Sequence, residues 1–227
     1  MKEEKDIYKV EVEVGVEEMQ IPPWLDVRLE EKSMNYLWDL INHSPTIDAN
    51  SRLAGNISKS EYIQDKDDRF YENVLKNCSE CLYHRDWVSY FNVTVAEVME
   101  PPAFELEELW VNYQKQHEFN PPHHHAGLYS FVVFMKIPTH WEEQHALPSS
   151  ANSTGPQASN FQFLIGQEQS TINLIDIPLS PEDEGRMLFF PAWLNHQVFP
   201  FYGTEKERIT ISGNIFMRNL EISEERK

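Results

Sequence analysis

Cysteine is scarce in this sequence. Cys78 and Cys81 are the only thiols, in "NCSECLYH" with His84 three residues further on. With no fourth ligand nearby and no second knuckle, this excludes a zinc-ribbon module and reads as two reduced thiols one turn apart on a helix. Basic residues are also few: 19 Lys and Arg stand against 37 Asp and Glu, a formal net charge of -18. No basic stripe interrupts that field, so a nucleic-acid partner is not expected. The N-terminal "MKEEKDIYKVEVEV" has no apolar core of a signal peptide, and no run approaches 18 uncharged apolar residues. The expectation is a soluble cytoplasmic protein with no membrane partner, whose five Asn-x-Ser/Thr matches carry no sugar. Internal repeats are absent as well.

What is present is enough apolar residue, 41% of 227, for one sizeable core. Residues 8–16, "YKVEVEVGV", alternate Val10, Val12, Val14 and Val16 with acidic positions, as a half-buried edge strand would, and a second copy of the chain can pair with such an edge. "LEEKSMNYLWDLI", 29–41, changes to a helical period with Met34, Leu37, Trp38 and Ile41 on one stripe. A second helix is expected in "DDRFYENVLKNCSECL", and "NISKSEYIQD" between the two reads as a loop or short capped turn.

From about residue 104 short strands follow one another between turn signals: 108–114, 129–137, 161–165, 171–177, 186–191, 196–201 and 208–217. Residues 1–103 are expected to be a strand and supporting helices, and 104–227 a double-stranded β-helix, the cupin-like jelly roll, the whole forming one compact, mainly β domain. "ALPSSANSTGPQASN", 146–160, reads as a mobile loop and a candidate lid.

Three places carry chemistry. In "FNPPHHHAGLYSF" side chains two apart on an extended chain point the same way, so His123 and His125 can converge on one ion while His124 points away. His196 in "LNHQV" lies 71 residues after His125. In "ERITISGNIFM", period two puts Ile209, Ile211 and Ile215 on one face and Arg208, Thr210, Ser212 and Asn214 on the other. If the isoleucines pack under the helices, Arg208 is turned into the sandwich and needs an anionic partner. In "WVNYQ", Trp110, Asn112 and Gln114 share a face.

The order His-x-His, a distal His, then an Arg 12 residues later resembles the iron(II)- and 2-oxoglutarate-dependent dioxygenases of the prolyl-hydroxylase-like superfamily. "WVNYQKQHEFNPPHHHAGLYSFVVFMKIP" and "GRMLFFPAWLNHQVFPFYGTEKERITISGNI" look like its short members carried by tailed bacteriophages, which would place the protein in a host cytoplasm. The resemblance covers about residues 108–217. It implies Fe(II), 2-oxoglutarate and O2 as cofactor and cosubstrates, with His123 the first iron ligand and His196 the last. Most of the superfamily has an acid as the middle ligand, two residues after the first; here that position is His125. A shifted register using His124, or Glu118 as an acidic ligand, is the alternative. Arg208 is implied to bind the far carboxylate of 2-oxoglutarate, helped by Thr210 or Ser212, with Asn112 and Gln114 adding hydrogen bonds. The implied reaction is hydroxylation of an unidentified protein side chain or small molecule with release of succinate and CO2. The competing reading is a cupin-like metal-binding or structural jelly roll without redox chemistry.

Overall fold

The isoleucine face of the last strand decides how the layers stack. In the computed structural model, which describes residues 23–91, 102–166 and 171–218, β-structure dominates as two antiparallel sheets. The strands are β1 (Leu25–Arg28), β2 (Ile47–Asp48), β3 (Ser60–Tyr62), β4 (Phe104–Gln114), β5 (Asn120–His123), β6 (Tyr129–Lys136), β7 (Phe161–Gly166), β8 (Ile172–Ile177), β9 (Arg186–Pro191), β10 (Asn195–Val198) and β11 (Arg208–Met217). The larger sheet runs β1-β9-β6-β11-β4-β3-β2 and the smaller β5-β10-β7-β8.

Ile211 and Ile215 of β11 are fully buried with Val111, Val133, Met187 and Phe189 against Leu37 and Leu40 of α1 (Glu31–His43) and Leu82 of α2 (Lys76–Phe91). The opposite side chains of the same strands, Val132, Phe134, Leu188 and Phe190, meet Phe161, Phe163 and Ile177 of the smaller sheet. Alternation along β6 and β9 thus feeds two cores at once, helix-to-sheet and sheet-to-sheet, as expected for strands buried on both faces.

The expected helix at 29–41 begins two residues later and stops at Ser44, ahead of Pro45, which disfavours helical backbone in the residue before it. The second begins with a π-helical turn at Tyr71–Leu75. Asp65 anchors it: its carboxylate accepts from the N–H of Phe70 and Tyr71 at 3.0 and 2.8 Å and from the Tyr36 hydroxyl of α1 at 2.7 Å. Cys78 is buried and Cys81 exposed, both free thiols on α2.

Two readings need correction. "NISKSEYIQD" is not simply a loop: Ser60–Tyr62 is β3, which adds to β4 with Ser60 opposite Asn112. It was hidden because three residues carry no readable period. The strand expected at 196–201 ends at Val198, short of Pro200, which has no N–H to give a ladder. The strand expected at 8–16 lies outside the described residues. No described helix is long and apolar enough to cross a membrane.

Candidate active site

Antiparallel pairing of β10 with β5 sets His196 directly opposite His123. The chain then leaves β5, and the N–H of His125 bonds to the Ala192 carbonyl at 2.9 Å, which turns its ring back toward the other two. Ring centroids are 4.3 Å apart for His123 and His196 and 5.0 Å for His125 with either. One nitrogen from each ring lies within 4.8 Å of the others, and Nε2 of His125 and of His196 are 3.3 Å apart.

Backbone carbonyls set the tautomers. Nδ1 of His123 donates to Pro121 O at 2.7 Å and Nδ1 of His196 to Leu194 O at 3.0 Å; a carbonyl only accepts, so both rings carry the proton on Nδ1 and turn a bare Nε2 lone pair inward. Burial favours the neutral rings. It lowers the pKa of His123, brings His125 to about 3 with help from the other histidines, and holds His196 well below the ordinary value. His196 is enclosed by Phe161, Phe163 and Phe190. Three neutral imidazoles on one side of a cavity fit a borderline divalent cation such as Fe(II) and leave its other side open. His124 points outward and is exposed, and the Glu118 carboxylate accepts from the N–H of Ser58 and Lys115, so neither alternative ligand joins the cluster.

The facing wall belongs to the larger sheet. Arg208, Thr210 and Ser212 on β11 pair with Gln114, Asn112 and Trp110 on β4, and all of them line the same cavity as the histidines. All eight sequence-predicted site residues are therefore brought together. Arg208 is 1% exposed, the largest fully buried side chain, and no carboxylate lies within ion-pair distance of it among the described residues. Its NH2 donates to Ser159 O at 2.8 Å and Ser159 Oγ at 2.5 Å, its NH1 to Gln114 Oε1 at 3.4 Å, and its Nε has no partner. Burial alone lowers its pKa to about 9. A sequestered cation with an idle donor is a site for an anion.

The carboxamides of β4 brace this wall. Asn112 takes a bond from Ser60 Oγ at 2.7 Å and donates to Thr210 Oγ1 at 3.4 Å, and Gln114 Nε2 donates to Glu118 O at 2.6 Å. Sequence reading missed Ser159, the next-to-last residue of the segment expected to be a mobile loop. It is fully buried, at φ 73°, a left-handed conformation uncommon outside glycine. Nothing in a Ser-Asn-Ala-Pro stretch marks it as an arginine partner.

A jelly roll with three converging imidazoles that can hold a metal ion, and a buried arginine lining the same cavity, is the class defined by this fold and geometry. Residues 108–214 match the family model described as "Putative 2OG-Fe(II) oxygenase". That core, just under half of the chain, is thus similar to the iron(II)- and 2-oxoglutarate-dependent oxygenases, the cofactors of that family being iron and 2-oxoglutarate. Among solved structures, a 2OG-Fe(II) oxygenase-family oxidoreductase from Burkholderia pseudomallei is similar at 10% identity and TM-score 0.49, over 89% of each chain. A prolyl-4-hydroxylase from Pseudomonas putida shares 12% identity at TM-score 0.48, over 88% of this chain and 96% of its own. HygX from Streptomyces hygroscopicus, solved with nickel, 2-oxoglutarate and hygromycin B, shares 11% at TM-score 0.46, over 86% of this chain and 83% of its own. No curated protein matches the sequence.

Proposed function

We propose that this protein is an Fe(II)- and 2-oxoglutarate-dependent oxygenase that hydroxylates an unidentified protein side chain or small molecule and releases succinate and CO2. The observation that carries this reading is Arg208, a buried cation with no carboxylate at ion-pair distance among the described residues, in the same cavity as three converging imidazoles. His123, His125 and His196 would hold the iron, and Arg208 the distal carboxylate of 2-oxoglutarate, with Thr210 or Ser212 adding a hydroxyl. Facing sheets are ~10 Å apart, a gap that a five-carbon dicarboxylate can span. Iron with 2-oxoglutarate supplies the oxidising power that O2 alone does not bring to a C–H bond.

The chain's own part is positioning. Pro121 and Leu194 carbonyls fix the ring tautomers, and the three phenylalanines beside His196 exclude water from that side. Ser159 and Gln114 orient the guanidinium before the anion arrives, while Asn112 holds Thr210 at its place in the wall. A cupin-like protein without redox chemistry does not account for the unpaired arginine, whose burial is costly unless an anion joins it. The test is succinate formation from labelled 2-oxoglutarate, dependent on added iron, with candidate substrates and host extract. Iron-dependent succinate that disappears in Arg208→Ala supports the proposal; succinate formation equal in wild type and Arg208→Ala contradicts it.

A further inference from the structure

Another wall of the cavity is built by the segment 50–57 together with Asn120 on β5, three residues before His123. Its chemistry differs from that of the cosubstrate wall. Leu53, Ala54, Ile57 and Val198 make it apolar, and among the described residues lining the whole cavity there is no Asp, Glu or Lys. Arg208 is the one permanent charge. A cationic group entering here would lose its water without gaining a counterion, and a second anion would compete for the arginine that the cosubstrate uses.

One polar atom in this wall is left over. Asn120 Oδ1 is buried and takes no hydrogen bond. The segment above it is tied to itself and to the neighbouring backbone instead: Asn50 Nδ2 donates to Ile57 O at 2.6 Å, Asn50 Oδ1 accepts from Ser60 N at 2.6 Å, and Asn56 N donates to Phe119 O at 2.8 Å. Gly55 lies over the Asn120 carboxamide, where any Cβ would overlap Oδ1. Glycine therefore lets the segment close on Asn120 while offering its oxygen only C–H groups. A buried acceptor without a donor is costly, a cost that a ligand returns if it displaces Gly55 and supplies an N–H or O–H.

We propose that Asn120 is a specificity-determining residue, and that the substrate group admitted beside the histidines is uncharged and donates a hydrogen bond to it. This rests on the oxygenase reading of the same cavity. It selects amides and alcohols over ammonium, guanidinium and phosphate groups.

The experiment is saturation-transfer NMR on the full chain with Zn(II) and saturating 2-oxoglutarate, using acetamide, acetone and methylammonium as probes. Acetone has the shape of acetamide without its donor. The expected result is an acetamide signal several-fold above acetone and methylammonium, falling to the acetone level in Asn120→Ala. In Asn120→Asp methylammonium overtakes acetamide, so the idea stays testable if the alanine variant does not fold. Equal acetamide and acetone signals in wild type, or an acetamide preference that survives both substitutions, overturn it. If 2-oxoglutarate itself gives no signal, the oxygenase reading fails, whereas the acetamide comparison is read on the same sample and judges Asn120 separately.

Discussion

His196 stands directly across from His123 in the β5–β10 pairing, so the two strands and the two candidate ligands are fixed by the same register. A slip of one residue in either strand would turn that strand's ring to the outer face. Replacement of His196 by Ala should therefore abolish binding of Fe(II), by more than the roughly 10–100-fold that loss of a supporting contact costs. His124→Ala should leave affinity unchanged, because its ring points outward. Calorimetric titration with Fe(II) under argon, or with Zn(II), measures both; a strong effect of His124→Ala would restore the shifted register.

Arg208 makes stability and binding oppose each other. Arg208→Met removes a buried cation that has no counterion among the described residues, and the metal-free protein should gain about 1–3 kcal/mol in denaturant unfolding. The same change should keep metal binding and remove 2-oxoglutarate binding. A destabilised variant would mean that the bonds to Ser159 and Gln114 outweigh the burial of the charge.

Ser159 tests whether the arginine is pre-oriented. Ser159→Ala deletes one of two acceptors for NH2, leaving the carbonyl. It should weaken 2-oxoglutarate binding by about tenfold, near the 1.5 kcal/mol of a hydrogen bond to a charged group, and leave metal affinity intact. Unchanged cosubstrate affinity would show that the carbonyl alone suffices.

Acid should destabilise the metal-free protein. His125 has its folded pKa lowered to about 3 by burial, and His196 is likewise held well below its unfolded value near 6.5. The unfolded chain thus binds protons that the folded chain refuses, and stability is lost as pH falls below about 6.5 toward 3. Melting temperature measured at pH 7.5, 6.5 and 5.5 without metal should fall most over the last step, and His125→Gln should flatten part of that fall. An equal slope in the variant would contradict the assignment.

Gly213, mid-strand on β11, has no room for a side chain: a Cβ would lie 2.6 Å from Glu108 O and 2.9 Å from the Phe131 ring. Gly213→Ala should cost about 1–3 kcal/mol by overpacking, measured in urea. A neutral result would show that β4 and β11 can separate without loss.

The β-rich half of the molecule was readable because period-two alternation survives in long strands such as β6 and β11. The isoleucine face of β11 could be placed under the helices, and that placement turned Arg208 inward. His-x-His geometry likewise separated His124 from its neighbours before any tertiary information. Short elements escaped: β1 and β3 hold four and three residues, too few for a period, although β3 brings Ser60 onto Asn112. Ser159 escaped for another reason. Its partner lies 49 residues away, and its role depends on a left-handed backbone and on burial, which arise only when the sandwich closes.

The most direct measurement is the visible spectrum of the chain with Fe(II) and 2-oxoglutarate under anaerobic conditions. A weak charge-transfer band that requires both additions, absent in His196→Ala and in Arg208→Ala at the same concentrations, is the predicted result. Its absence in the wild-type protein at saturating metal and 2-oxoglutarate would contradict the joint metal and cosubstrate site.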